Sequence, residues 1–463
     1  MRLFRSVLMG STAALVLAAA TPARAAECSN AAVTTVPGAE LQERACLDDL
    51  TTAGTQLTGH TDRSDWDGLH ADDTRNPTGI PGLQIDGYFP DSSRTNAWKG
   101  RNHDSQFVIR LPDDWNGKLV ITGAPGVRRQ YANDFIIGDW VLDRGYAFAS
   151  TDKGNTGTSF QNDGVEPGDA VAEWHRRITE LTRAAKTVVR RRYGRRPGRT
   201  YIAGISNGGY LTRHALENHP ELYDGGVDWE GTLLTPPGPN ILTYLPVALR
   251  NYMAYKRGDE RAHEAILDAG FAPGSEFLWD YHYAVYWDLT QRIYREEFDP
   301  GYDGPLNAGI PFCRPGTPSC DADYDYASRP PAVRDAVGRV SLTGAIGKPM
   351  LTLHGTLDSL LPIRDSNVYV DMIGAAGRGG MHRYFTIDRG NHVDGLYDDH
   401  PDRLRPILPC QRAAFLALER WVERGKQPPP TQAVARPDDD DVVNRCALAG
   451  AAGGGGSAYV APR

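Results

Sequence analysis

The sequence predicts an α/β chain: a mainly parallel sheet with helices on both faces, interrupted by an inserted lid. Three observations carry this. Short apolar runs alternate with amphipathic helical stretches over residues 106–229, the rhythm lapses over 235–335 where aromatic residues crowd, and it returns over 349–424. The 463 residues leave room for two or three folding units of roughly 150 residues each. Fifty glycines and 32 prolines stay below the ~25–30% share that marks low-complexity chains, which excludes wholesale disorder. A net charge of −8 with no dominant basic stripe gives a nucleic-acid backbone nothing to hold.

Residues 1–25 read as an export signal. Arg2 and Arg5 form the charged start, 6–20 is apolar, and Ala23-Arg24-Ala25 puts small residues at the cleavage positions. The apolar run is shorter than the ~20 residues a membrane span needs, and no later stretch approaches that length. The expectation is a secreted, extracellular product with no membrane partner. All six cysteines follow the signal, and sequential disulfides are expected, Cys28 with Cys46, Cys313 with Cys320 and Cys410 with Cys446. No pair has CxxC spacing, which argues against zinc.

The first part of the core is expected over 26–234. Strands are expected at 106–111, 118–122 and 146–151, the second ending in Gly123-Ala124-Pro125-Gly126, with a helix about 134–142 before the third. The clearest helix spans about 167–192. Val171, Trp174, Ile178, Leu181, Ala185 and Val188 recur on one face at three and four residues, and the arginines of the other face read as a solvated surface. A strand at 200–203 then runs into Gly204-Ile205-Ser206-Asn207-Gly208-Gly209, a helix to about 218 and a strand at 226–229.

The lid is expected over 235–335. Most of its aromatics should form its own core, while Trp279, Tyr283 and Trp287 are the candidates to face a substrate. Asp321, Asp323 and Asp325 alternate along one loop. Oxygen ligands so spaced suit a structural calcium ion, although such a triplet is more commonly a solvated acidic turn. The second part of the core is expected over 336–425, with strands at 349–354 and 383–387 and a helix about 404–424. Residues 426–463, with their proline, aspartate and glycine runs, read as a largely disordered tail.

The chemistry is carried by Gly204-x-Ser206-x-Gly208 between a strand and a helix. That turn is too tight for side chains at its flanks, and it lifts a serine hydroxyl to the carboxyl edge of the sheet. The pattern is short, so its placement matters more than its letters. Serine is a weak nucleophile and needs a histidine base oriented by a carboxylate, here expected in the chain order serine, acid, histidine. Asp358, in the turn after the strand at 349–354, is the candidate acid. His392, in the loop after the strand at 383–387, is the candidate base. His354 reads as a packed histidine, Asp365, Asp388 and Asp394 as surface carboxylates, and His60, His70, His103, His263 and His400 as surface residues. The oxyanion donors are expected from Asn207 and from the loop after 118–122, where Pro125 has no N–H and Ala124, Gly126 or Val127 must serve.

Glu173-Trp174-His175-Arg176, Lys186, Tyr193-Gly194, Pro197, Tyr201 and the Gly204–Gly209 run together resemble the tannase and feruloyl esterase family of α/β-hydrolases. Residues 144–152 and the His392 loop are similar as well. The resemblance implies an α/β-hydrolase fold and secreted hydrolysis of carboxylic esters, often of aromatic acids, under a lid that in many members holds calcium. The family usually bridges a cysteine before the nucleophile to one after the histidine; here those positions are Ile205 and Val393. The Ser206–Gly209 run also resembles 3-hydroxybutyrate oligomer hydrolases, which implies an aliphatic acyl group instead. The expected function is a serine esterase on a small-molecule or oligomeric ester, needing no organic cofactor. A secreted serine peptidase is the alternative within enzymes, and a catalytically silent binding module the alternative outside them.

Overall fold

The computed structural model describes residues 34–97, 101–302, 321–437, 441–449 and 456–462. The expected export signal, Cys28, Cys313 and Cys320 lie outside the described residues. The chain opens with β1 (Leu41–Leu47), α1 (Thr52–Leu57), β2 (Gly82–Tyr88), β3 (Gln106–Pro112), β4 (Lys118–Gly123), α2 (Asp139–Asp143) and β5 (Ala147–Thr151). It continues with α3 (Asp169–Tyr193), β6 (Arg199–Ile205), α4 (Asn207–Asn218) and β7 (Gly225–Trp229). Among the described residues five helices follow: α5 (Ile241–Tyr255), α6 (Glu260–Asp268), α7 (Glu276–Val285), α8 (Trp287–Phe298) and α9 (Pro331–Gly338). The chain closes with β8 (Met350–Gly355), α10 (Arg364–Ala375), β9 (His382–Ile387), α11 (Leu408–Arg424), β10 (Gln432–Val434), β11 (Arg445–Leu448) and β12 (Ser457–Val460).

Ten strands form one sheet in the order β1-β2-β3-β5-β4-β6-β7-β8-β9-β10. From β5 to β10 every pairing is parallel; β1, β2 and β3 join antiparallel at the other end. This is the α/β-hydrolase arrangement the sequence predicts. Alternate residues of a central strand enter opposite cores, as Leu119 and Ile121 join one cluster and Val120 the other. Both clusters are dry, because helices cover both faces. The predicted stripe of α3 is buried along its length, Val171 and Val188 at 0% exposure and Trp174 at 1%.

The structure corrects the sequence reading in three places. First, β1 and β2 carry no clean hydrophobic alternation. Inward positions of β2 hold Gln84 and Asp86, which are satisfied inside a buried network: Arg110 Nε–H donates to Gln84 Oε1 at 2.9 Å and the Tyr131 hydroxyl to Asp86 Oδ1 at 2.6 Å. Second, the lid does not keep a separate core, since Trp279, Trp287 and Tyr252 belong to the same apolar cluster as α3 and α4. Third, the tail expected to be largely disordered is folded in its described part. β10 pairs in parallel with β9, and the β11–β12 hairpin packs on α11. These strands are three or four residues long, too short for their alternation to stand out beside the aspartate and glycine runs.

The expected Cys410–Cys446 disulfide is present and fastens that hairpin to α11 across a sequence separation of 36. Cys46 is also disulfide-bonded. Opening the Cys410–Cys446 loop with Cys410→Ser and Cys446→Ser should lower the unfolding free energy by about 2–4 kcal/mol in urea titration, because the cross-link restricts the unfolded chain. An unchanged denaturation midpoint would count against that anchoring role. No helix among the described residues is long and apolar enough to cross a membrane.

Candidate active site

β6 delivers Ser206 into a turn that its own glycines make possible. Ser206 has φ +56° and ψ −122°, a conformation that L side chains rarely adopt. A Cβ on Gly204 would lie 2.4 Å from the Gly208 backbone, and one on Gly208 would lie 2.4 Å from the Gly123 carbonyl oxygen. Neither position accepts a side chain, so β4, β6 and α4 can close around the serine. Its backbone N–H donates to the Trp229 carbonyl at 3.0 Å, fastening the turn to the end of β7.

Two loops at the same sheet edge bring the other candidates. The turn after β8 presents Asp358, whose Oδ1 accepts the backbone N–H groups of Leu360 at 2.8 Å and Leu361 at 2.9 Å. The loop after β9 presents His392, whose Nδ1–H donates to Asp358 Oδ2 at 2.8 Å. Burial alone would raise the Asp358 pKa. The imidazole of His392, and His354 on the other side, outweigh burial and hold the carboxyl well below the usual carboxylate range. Asp358 therefore stays ionised and fixes the His392 ring with Nε2 free.

His354 is more than the packed histidine the sequence suggests. Its Nε2 lies 2.9 Å from the Leu361 carbonyl and 3.3 Å from Asp358 Oδ2, and its Nδ1 accepts from the Ser366 hydroxyl at 2.7 Å. Arg213 Nη2–H donates to that hydroxyl at 2.8 Å. A continuous polar chain thus runs from α4 to the acid. Asp365 and Asp394 are buried rather than at the surface: Asp365 accepts from the Tyr244 hydroxyl, and Asp394 from the N–H groups of Ile407 and Leu408 at the start of α11. His70 is also buried, stacked on Phe135 at 3.7 Å.

Ser206 and His392 line one cavity of about 170 Å³. The core supplies Leu69, Val127, Ile205, Leu360, Leu361 and Val393 as apolar wall. Ile205 and Val393, where a cysteine pair was expected by resemblance, thus become part of the lining. The lid supplies His282, Tyr286, Leu289, Thr290, Ile293 and Tyr294. That stripe recurs at three and four residues across α7 and α8, a periodicity readable in the sequence but outshone by the larger aromatics.

Trp279, Tyr283 and Trp287 are not in the lining. Trp279 is fully buried and donates to the Ser275 hydroxyl, Tyr283 stacks on Tyr252 at 4.1 Å, and Trp287 donates to the Ser359 carbonyl at 2.7 Å. Large aromatics serve the lid's attachment because they bury the most area. Trp287 has an indirect bearing on the site, since its bond holds the turn that carries Asp358.

Of the expected oxyanion donors, Asn207 and Gly126 line the cavity and Ala124 does not. The Ala124 N–H is already committed to the Thr151 carbonyl at 2.9 Å, which leaves Gly126 or Val127 on that loop. The Asn207 side chain is an addition: Nδ2–H donates to the Gly126 carbonyl at 2.9 Å while Oδ1 accepts from the hydroxyls of Thr232 and Tyr294. It thereby ties the Ser206 turn, the loop after β4 and the lid together.

The three aspartates expected at calcium do not converge. Asp321 is buried against Arg295 Nε at 2.8 Å, Asp323 is exposed, and Asp325 is exposed and accepts the Ala327 N–H. Alternate positions of the segment face opposite ways, and a guanidinium already occupies the buried carboxylate.

Two further residues had no signal in the sequence. His282 is 1% exposed with neither ring nitrogen hydrogen-bonded, and burial pushes its pKa down to about 3, so it is a neutral imidazole on the cavity wall. Glu230, at the end of β7, lies fully buried beside His392.

Residues 93–228 match the tannase and feruloyl esterase family, a span that includes the elbow and stops before the acid and histidine loops. Mono(2-hydroxyethyl) terephthalate hydrolase of Piscinibacter sakaiensis is 27% identical over 139 residues, 27% of this chain and 23% of that protein. The match thus spans under a quarter of that relative's length. Among solved structures, feruloyl esterase B from Aspergillus oryzae aligns with a TM-score of 0.51 at 16% identity, covering 91% of this chain and 92% of the other. Tannin acyl hydrolase from Aspergillus niger aligns with a TM-score of 0.50 at 14% identity, covering 96% and 94%. At these identities the two structures establish a shared fold.

Proposed function

We propose that the chain is an exported serine hydrolase that cleaves carboxylic esters through an acyl-enzyme. The observation that carries this reading is the Asp358 carboxylate 2.8 Å from His392 Nδ1, with His392 and Ser206, on its strained turn, lining one cavity. His392 Nε2 takes the proton as Ser206 Oγ attacks the ester carbonyl. The N–H groups of Asn207 and of Gly126 or Val127 meet the developing oxyanion. Collapse expels the alcohol, which carries away the proton from His392. Water, deprotonated by the same imidazole, then releases the acid and restores Ser206.

The small, mainly apolar cavity favours a compact acyl group of about one ring or a short chain, since it falls below the roughly 300 Å³ at which drug-sized pockets begin. The family match favours an aromatic acid, while the apolar pair Ile205 and Val393 leaves the aliphatic alternative standing. The test is a panel of methyl and ethyl esters of phenolic, aliphatic 3-hydroxy and aminoacyl acids, with peptides as the control arm. Turnover of the ester arms, and covalent labelling by a fluorophosphonate, are expected. Cleavage confined to peptides would replace this reading with the peptidase, and inertness to both would replace it with the binding module.

A further inference from the structure

We infer that Glu230 is a second positioning carboxylate for His392, held behind Asp358 on the neighbouring strand and able to take over the Nδ1 contact when Asp358 is lost. The inference rests on the triad reading above. Its basis is geometric. β7 lies between the nucleophile strand β6 and the acid strand β8, so the residue that follows it emerges between Ser206 and Asp358. Glu230 occupies that place with φ +50°, and its N–H donates to the Leu353 carbonyl at 2.8 Å. A glutamate held in a left-handed conformation, where glycine would sit without strain, calls for a reason.

The carboxyl is aimed at the base. Glu230 Oε1 accepts the Gly355 N–H at 2.6 Å, which pins the group, and Oε2 lies 3.7 Å from His392 Nδ1, with the Trp229 indole beside the carboxyl. At 3.7 Å this is no hydrogen bond, so Asp358 at 2.8 Å is the orienting acid of the intact chain. One ligand atom of each of Glu230, Asp358 and His392 falls within 4.8 Å of the others. A ring turn or side-chain shift of less than about 1 Å would close the Glu230 contact to hydrogen-bond length.

Charge explains why Glu230 stands in reserve. The groups that face it are Asp358 from the β8 turn, with His354 beyond it, and His392 and Asp394 from the loop after β9; His282 of the lid lies behind His392. Burial, then the Asp358 charge, raise the Glu230 pKa well above the usual carboxylate range. Glu230 is therefore neutral while Asp358 is ionised. Removing Asp358 removes the repulsion, leaving burial as the main obstacle, so Glu230 ionises at a lower pH than before and its anion becomes available to the imidazole.

The experiment compares Asp358→Ala and Asp358→Ser, each with and without Glu230→Gln, on the ester that the unmodified protein turns over. Serine keeps an acceptor for the N–H groups of the turn, so at least one pair retains the fold, checked by circular dichroism. Each Asp358 variant should keep a kcat/KM at least tenfold above its Glu230→Gln partner at pH 9, and only the former should rise with pH as Glu230 ionises. A purely structural glutamate would not produce that titration. Equal rates and parallel pH profiles within each pair would overturn the inference. Failure of the unmodified protein to hydrolyse any ester or to react with a fluorophosphonate would instead overturn the triad reading.

Discussion

Ser206→Ala should lower ester turnover by about 10⁶-fold and abolish fluorophosphonate labelling, with the fold and denaturation midpoint nearly unchanged. Nothing else in the cavity can replace the hydroxyl. Its lining is apolar apart from Ser206, His392, Asn207, Arg128 and the hydroxyl and imidazole groups of the lid and of Thr232, and of these only Ser206 sits on a turn whose backbone is already fastened to β7. His392→Ala should cost about as much, because an unactivated serine is nearly as inert as an absent one. The double variant Ser206→Ala with His392→Ala should then be no slower than either single variant, as groups acting in one step do not add. Asp358→Ala should cost less, since imidazole without its partner still accepts a proton. A residual rate within tenfold of the unmodified protein in Ser206→Ala would remove Ser206 from the chemistry.

That constellation was legible because each member sits beside a local signal. The glycines at 204 and 208 are demanded by contacts of 2.4 Å, so the turn leaves a trace in the sequence that a serine alone would not. Asp358 and His392 follow apolar strands at the positions where a parallel sheet exposes its carboxyl edge. What was not legible depends on partners distant in sequence. Ala124 looks as good a donor as Gly126 until β5 is paired beside β4 and the Thr151 carbonyl takes its N–H. Trp279 and Trp287 draw attention by size, yet size is what sends them to the lid's foundations, while the smaller Leu289 and Ile293 reach the cavity. Glu230 carries no motif at all. Its meaning arises only when β7 lies next to β8 and its carboxyl meets a histidine 162 positions further along the chain.

Arg213→Met should destabilise the fold by about 3–5 kcal/mol. Arg213 Nε–H donates to Asp228 Oδ2 at 2.7 Å, and both side chains are completely buried beneath the elbow. Its guanidinium also stacks over the Tyr369 ring at 4.5 Å and supports Ser366, and through it His354 and Asp358. Removing the cation leaves Asp228 as an uncompensated charge in a fully buried site, where among the described residues the Gly231 N–H and the Thr352 hydroxyl hold it. The penalty is thus mostly that of the stranded carboxylate. Adding Asp228→Asn keeps an acceptor for the Gly231 N–H, turns an amide donor to the Thr352 hydroxyl, whose oxygen can accept it, and removes the charge, so the double variant should recover a large part of the loss in urea titration. The cycle separates two causes. Recovery assigns the cost to buried charge, whereas a double variant as weak as Arg213→Met alone would assign it to the lost stacking on Tyr369 and the broken chain to His354. Turnover gives the second readout. If the Arg213–Ser366–His354 chain steadies the acid, the stabilised double variant should still hydrolyse esters more slowly than the unmodified protein, because its Asp358 turn has lost the support that Arg213 provided.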